Sequence, residues 1–380
     1  AQRGLDTSLD ESKSKYKVAH WIQEVARSIV SFKLSGKTSH ALDKNDTLVV
    51  GYLNARESHF RVLVLQFIQM IGFKVLVTGG LLLIGGLLVL NQEMNIGQFV
   101  AAEIIILLVI NSVEKLILGL ETFYDLLTSL EKMGQVVDKE LEPQEGEKPF
   151  MENQSFTIEL SDISYSVPEP KREIISHLDL TITPNCTILL RGKSGSGKNT
   201  LLRIIAGILE PDSGGVYVNG VSLKGMNLNY YRSHLGQSLP EESPFEGTIL
   251  NNITFGDKDT TNEQVYWALD KVGLTEFVKK QPDGLNTVLY PEGKQIPHTI
   301  SKKIVLARSI VRKPKLLILK DPLDQFNSEE ADRILNFLSD SSNGWALLVV
   351  SENDKWIKKC SRIITMDKGR IINEIEGKDA

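Results

Sequence analysis

Between Val62 and Leu90 the chain carries a single charge, Lys74. A run this long and this apolar is poorly suited to the interior of a soluble domain, whereas crossing a bilayer takes ~20 helical residues. A short polar break follows, Asn91-Gln92-Glu93-Met94-Asn95, and a second apolar stretch runs from Phe99 to Leu120. The pair reads as a transmembrane hairpin, and its internal position is not that of a secretory leader. The connecting loop has no Lys or Arg. The preceding segment has Arg3, Lys13, Lys15, Lys17, Arg27, Lys33, Lys37, Lys44, Arg56 and Arg61. That asymmetry puts the preceding segment and everything after Leu120 in the cytoplasm, with the Glu93 loop outside.

Four ionisable residues fall within the spans: Lys74, Glu103, Glu114 and Lys115. Counted from the loop at ~1.5 Å per residue, Lys74 and Glu114 lie at similar depth. They are expected to pair across the hairpin. Lys115 is close enough to the cytoplasmic end to reach the interface. Glu103 lies nearer the outside, so its partner is expected on another helix, another chain or a transported molecule. Gly72, Gly79 and Gly86 recur on one helical face, where a neighbouring helix can approach closely or where they are simple apolar filler.

The 380 residues, 42% hydrophobic and 24% charged, call for more than one unit and exclude a disordered chain. A net charge of −5 offers no basic field for nucleic acid. Two cysteines, Cys186 and Cys360, exclude a disulfide framework or a Cys-based zinc site and fit reduced cytoplasmic protein.

Ahead of the hairpin, Trp21, Val25, Ile29 and Phe32 share one face by helical spacing. A second helix is expected over Leu48 to Arg61, running into the membrane. Glu140 to Ser155 combines Pro143, Gly146 and Pro149 with many acids and reads as a linker. Two spans make a poor membrane domain for a transporter, and the chain starts at Ala1 within an apparent helix. A fragment, or one part of a split protein, is expected.

The soluble part contains the short apolar run Cys186-Thr187-Ile188-Leu189-Leu190, a buried strand by pattern. It leads into Gly192-Lys193-Ser194-Gly195-Ser196-Gly197-Lys198-Asn199-Thr200-Leu201-Leu202 and an amphipathic helix to Leu209. This is the strand–loop–helix setting of a phosphate loop. Glycines let backbone N–H groups converge on phosphate oxygens, and the helix N-terminus adds a favourable field. Lys198 would reach the β and γ phosphates. A Ser or Thr usually follows that lysine to ligate Mg²⁺; here it is Asn199, whose longer amide is the available oxygen.

The segments that follow resemble those of exporter-type ATP-binding cassette (ABC) proteins. Phe245-Glu246-Gly247-Thr248-Ile249-Leu250-Asn251-Asn252-Ile253 is similar to the stretch after the family's glutamine loop. Ile304 to Ile310 and Lys313 to Leu319 are similar to its helix and its acidic-ended strand. The hairpin looks like the last two of six transmembrane helices in a half-transporter. The resemblance implies an α/β P-loop ABC nucleotide-binding domain, preceded by an all-α transmembrane hairpin with cytoplasmic helical extensions. It implies ATP as ligand, with Mg²⁺ in question. Residues 1–61 become a cytoplasmic coupling arm, 62–90 and 99–120 the spans, and 91–98 the external loop. Residues 121–156 become a helical extension and linker, and 157–380 the ATP-binding domain.

Registering the family motifs also exposes departures. Where the acidic-ended strand should finish Asp-Glu stand Lys320 and Asp321. Lysine cannot ligate a hard cation, and Asp321 is a short candidate for the water-polarising base. The switch histidine falls on Glu352, the loop glutamine on Pro240 (Gln237 is off register), and the adenine-stacking tyrosine on Val167. The signature falls on Ile296-Pro297-His298-Thr299-Ile300, with side chains where glycines belong, and the dimer-contact aspartate falls on Asn327. The expectation is nucleotide binding at Gly192, Ser194, Gly195, Ser196, Gly197, Lys198, Asn199, Thr200 and Lys320, with weak or absent hydrolysis. Two readings follow. One is a subunit of an exporter in the inner or plasma membrane, multi-pass, paired as a homodimer or with another half-transporter that meets the missing upstream helices. The other is a membrane-anchored pseudo-ATPase that senses nucleotide or scaffolds a complex.

Overall fold

The structure, a computed structural model, describes residues 2–36, 38–143, 145–149 and 156–377. The chain divides into two compact units, one up to Leu141 and one from Glu142.

The first unit is helical: α1 (Gln2–Arg27), α2 (Ile29–Leu34), α3 (His40–Leu90) and α4 (Ile96–Val137). The helix expected from Leu48 starts earlier, at His40, and continues unbroken through the apolar run for 51 residues. At ~1.5 Å rise that is about 75 Å, more than twice a hydrocarbon core of ~30 Å, so much of α3 projects beyond it. A capping box opens α4: Asn95 accepts from the Gln98 N–H and the Gln98 side chain accepts from the Asn95 N–H. Both long helices are apolar enough to span a membrane, yet only 6% of the most apolar window of each is buried, which separates them from the core helices of a soluble domain.

Lys74 Nζ lies 3.1 Å from Glu114 Oε2, the pairing that helical rise predicts. Among the described residues Glu103 has no ion-pair partner. The glycine that meets α4 lies outside the glycine pattern. Gly85 receives the Phe99 ring, while Gly72, Gly79 and Gly86 face open space. The Trp21 face is also shorter than expected. Helix α1 breaks at Ser28, leaving Ile29 exposed, and Trp21 instead closes a corner. Its ring packs edge-on to Phe32 at 6.0 Å, its Nε1 donates to the Ala41 carbonyl, and the Lys44 ammonium lies 4.1 Å from its centroid. Tyr124, 1% exposed, anchors the other end among α1, α3 and α4, beside His59 and Gln66.

The second unit is α/β. Its strands are β1 (Ile158–Val167), β2 (Arg172–Ile182), β3 (Thr187–Arg191), β4 (Ser213–Val218), β5 (Val221–Ser222), β6 (Leu235–Ser238), β7 (Gly247–Thr248), β8 (Val288–Leu289), β9 (Leu316–Lys320), β10 (Ala346–Val350), β11 (Arg362–Asp367) and β12 (Arg370–Glu376). Its helices are α5 (Lys198–Ile205), α6 (Leu228–Ser233), α7 (Ile249–Thr254), α8 (Asn262–Val272), α9 (Thr275–Lys279), α10 (His298–Ile310) and α11 (Ser328–Leu338). The central sheet runs β12-β11-β3-β10-β9-β6, parallel except for β12. An antiparallel sheet, β2-β1-β4-β5, packs with it through a core that includes Ile158, Ile175, Leu190 and Ile204. The continuous apolar runs of β3, β9 and β10 are buried on both faces, as parallel strands require.

Described residues of the expected linker make defined contacts. Glu142 makes a two-pronged pair with Arg232 at 2.6 Å, which holds its carboxyl below the usual carboxylate range, and Glu147 bridges to Met226. Residues 150–155 of that stretch lie outside the described residues.

Candidate nucleotide-binding site

In an open parallel sheet, ligands bind beyond the carboxyl ends of the strands. Here register decides which side chains meet there. Val350 stands opposite Leu190 on one side and Lys320 on the other. The end of β3, the end of β9 and the turn after β10 therefore share one edge.

From β3 the chain turns through Gly192 to Gly197 and enters α5 at Lys198. Gly197 sits at φ 99°, and a Cβ there would press against the Ile174 carbonyl and the Ile175 side chain. Only glycine fits, and its conformation turns the following amides into the loop. Ser194, Gly195 and Asn199 are exposed on the loop's outer side, Thr200 is half-buried, and Ser196 and Lys198 are buried. Helix α5 ends at Ile205, short of the expected Leu209, because Gly207 takes a left-handed conformation at φ 67°.

The Lys198 ammonium folds back onto its own loop. It donates to the carbonyls of Gly192 and Lys193 and to Ser196 Oγ at 3.3 Å. Burial pulls its pKa down, Glu352 and Asp321 raise it, and Lys320 pulls it lower. Those causes identify its charged neighbours as the residues at the ends of β9 and β10.

Lys320 directs Nζ to Asn199 Oδ1 at 3.0 Å and lies 3.8 Å from Asp321 Oδ2. Asp321 has φ 43°, and its N–H donates to the Val350 carbonyl. Burial, then Asp324, raises its carboxyl pKa against the opposing pull of Lys320, Lys302 and Ser351. Glu352 is exposed; its Oε1 accepts from the Gly192 N–H at 3.4 Å and its Oε2 lies 3.6 Å from Arg191 Nε. Phosphate loop, Lys320, Asp321 and Glu352 thus form one constellation.

Two members of this edge carry no motif signal. Arg191 joins Glu352 to Asp354, the latter at 3.1 Å. Lys302 reaches from α10 to the carbonyls of Asp321 and Asp324. Its distance in sequence hides that role, since nothing local marks a lysine on a helix as a cap for a remote turn.

The other motif positions lie apart. Pro240 is exposed after β6, and Gln237 stands within β6 opposite Ile318, its Oε1 buried without a partner among the described residues. Val167 ends β1, and Tyr165 packs against the core. The segment Ile296 to Ile300 supplies the N-terminus of α10, with His298 exposed in its first turn. Asn327 caps α11 by accepting from the Glu330 N–H at 2.9 Å.

Residues 175–324 match the ABC transporter family. The chain is 32% identical over 236 residues to ABC multidrug transporter MDR2 of Trichophyton interdigitale, covering 61% of this chain and 18% of that protein. It is 25% identical along its whole length to an export ATP-binding/permease protein of Rickettsia bellii, spanning 64% of it. It is 28% identical over 248 residues to an ATP-dependent lipid A-core flippase of Bordetella avium, spanning 42% of that relative. Its fold matches the structure of a bacterial Atm1-family ABC exporter with ATP bound, at TM-score 0.85 and 17% identity, over 99% of this chain and 67% of that one. The chain spans less than two thirds of the length of each of these sequence relatives. Residues 175–324 thus carry the ABC transporter domain, and the chain as a whole is similar to ABC exporters. It has the make-up of an exporter-type half-transporter: an apolar helical region followed by an ATP-binding domain, in a membrane protein with that domain on the cytoplasmic side.

Proposed function

We propose that the chain is the ATP-binding subunit of an exporter-type transporter, in which nucleotide binding, with hydrolysis weak or absent, is coupled to transport. One observation carries the reading: a glycine-rich phosphate loop with its lysine in place faces an edge made of Lys320, Asp321 and Glu352. The loop amides and Lys198 are the groups that hold phosphate. Lys198 leaves its loop carbonyls when a stronger acceptor arrives, since a charged oxygen outcompetes neutral ones.

Hydrolysis asks more of the site. Phosphoryl transfer depends on positioning the water and stabilising the spreading charge. Asp321 stands at the base position one methylene short of a glutamate. Glu352 puts a negative charge beside the loop where the family has a histidine. Each missing group costs roughly 10²–10³ in rate. The same logic applies to the clasp that His298 and Thr299 would present to a partner's nucleotide.

The subunit acts in the inner or plasma membrane as a multi-pass protein, together with further transmembrane helices, as a homodimer or with another half-transporter. A second reading, a membrane-anchored pseudo-ATPase that senses nucleotide, draws support from the lysine at the family's metal position.

ATP turnover by the chain in lipid, with Lys198→Ala as control, separates the readings. We expect ATP to bind, with at least ~tenfold loss in the variant, and turnover well below that of an intact transport ATPase. Slow turnover abolished by Lys198→Ala supports coupling to transport. Binding with no turnover supports the sensor. Fast turnover unaffected by the variant would show that the site lies elsewhere.

A further inference from the structure

Lys320 closes β9 at the mouth of the phosphate loop, and its ammonium is held at 3.0 Å by Asn199 Oδ1. Its side chain is 24% exposed. The charge is therefore fixed beside the phosphate pocket by a specific acceptor and a nearby carboxylate, Asp321 at 3.8 Å. Asn199 is the second residue of α5, next to Lys198, so the two ammonium groups flank the start of the same helix.

A magnesium ion does not fit this arrangement. It demands near-octahedral oxygen ligands at ~2.0–2.1 Å. The two side chains at the family's metal positions are Asn199 and Lys320. One offers its amide oxygen to the other, and that other is a donor without a lone pair while protonated. Among the described residues no cluster of three acidic, histidine or cysteine side chains stands by to take over.

The replacement balances in charge. A carboxylate with a bound divalent cation and a lone ammonium both carry one net positive unit. Putting lysine where the family has aspartate removes the ligand and supplies, covalently, the charge that the ligand and its metal gave together. Asn199 holds that charge in place before the nucleotide arrives, so little ordering is left to binding.

We propose that the Lys320 ammonium takes the place of the magnesium ion, so that this chain binds ATP without a divalent cation. The inference rests on the ATP-binding reading above. Lys320 and Lys198 together contact the β and γ phosphate oxygens, with Asn199 as the positioning residue for Lys320. A magnesium–ATP complex would bring a second cation against a fixed one, so free ATP is the preferred ligand.

The test titrates ATP into the full chain in lipid nanodiscs by calorimetry, once with excess Mg²⁺ and once with EDTA. For the wild type the Kd in EDTA is expected within about threefold of that in Mg²⁺, or tighter. Lys320→Asp should create a metal requirement, binding at least ~tenfold more weakly in EDTA than in Mg²⁺. Lys320→Met keeps the stem and removes the charge, and should weaken binding in EDTA by ~tenfold, with its nucleotide-free melting temperature as the check on folding. Wild-type binding that is present in Mg²⁺ and lost in EDTA overturns this inference and leaves the ATP-binding reading intact. Unchanged binding by a folded Lys320→Met variant in EDTA also overturns it. No binding in either buffer overturns both.

Discussion

Cys360 is 5% exposed, and burial pushes its thiol up to about 12. Burial also raises Cys186, against the lesser pull of Thr183 and Arg362. The thiolate is the reactive form, and at pH 8 a thiol with a pKa of ~12 is ionised in only about one molecule in ten thousand. Burial thus holds both thiols in the protonated, less reactive form. Iodoacetamide at pH 8 should leave both unmodified in the native chain and label both after denaturation, as read by intact mass; fast native labelling would mean that this part of the domain opens readily. The phosphate loop was legible at the residue scale because its function constrains a contiguous stretch: glycines for backbone approach, a lysine, a strand before and a helix after. The Asn199–Lys320 bond was not, since its partners lie 121 residues apart. Sequence placed each beside the phosphates through the family register, and only the structure joined them.

At the scale of elements, the hairpin shows how far periodicity reaches. Rise per residue alone put Lys74 and Glu114 level, and the structure pairs them. Both charges gain from the pairing because an unpaired ionised group in hydrocarbon is costly. Lys74→Glu and Glu114→Lys should each lower the melting temperature in detergent or nanodiscs by several degrees, and the double exchange should recover most of the loss. A double variant no better than the singles would mean that the charges do not interact in the membrane. Periodicity failed where a break intervened. Spacing carries the Trp21 face through Ser28, but α1 stops before it, and the ring serves a corner with Phe32, Ala41 and Lys44. The glycine heptad had the right spacing for close packing, yet Gly85, outside that pattern, takes the Phe99 ring. A spacing rule names a face without naming its neighbour.

At the scale of the whole molecule, the chain holds two compact units. A ligand that binds only one folded unit stabilises that unit, by about 2.7 kcal/mol at a hundredfold excess over Kd. Saturating ATP should therefore raise the unfolding transition of the α/β unit, followed by Trp345 and Trp356 fluorescence, and leave the helical unit's transition in place. The shift should vanish in Lys198→Ala. A shift of equal size in both transitions would mean that the units unfold as one.

The sequence by itself determined the class of each unit, because hydrophobic length and a local glycine-rich loop are short-range signals that survive without knowledge of contacts. Through the resemblance it also named the positions, Lys320, Asp321 and Glu352, where departures from the ABC motifs are expected. Tertiary structure decided what those residues touch. Parallel register brings the ends of β3, β9 and β10 to one edge, so Lys320 meets Asn199, Glu352 meets Arg191, and Lys302 caps the turn after Asp321. Those contacts depend on which strands are neighbours and how they align, and no local pattern in the chain encodes that.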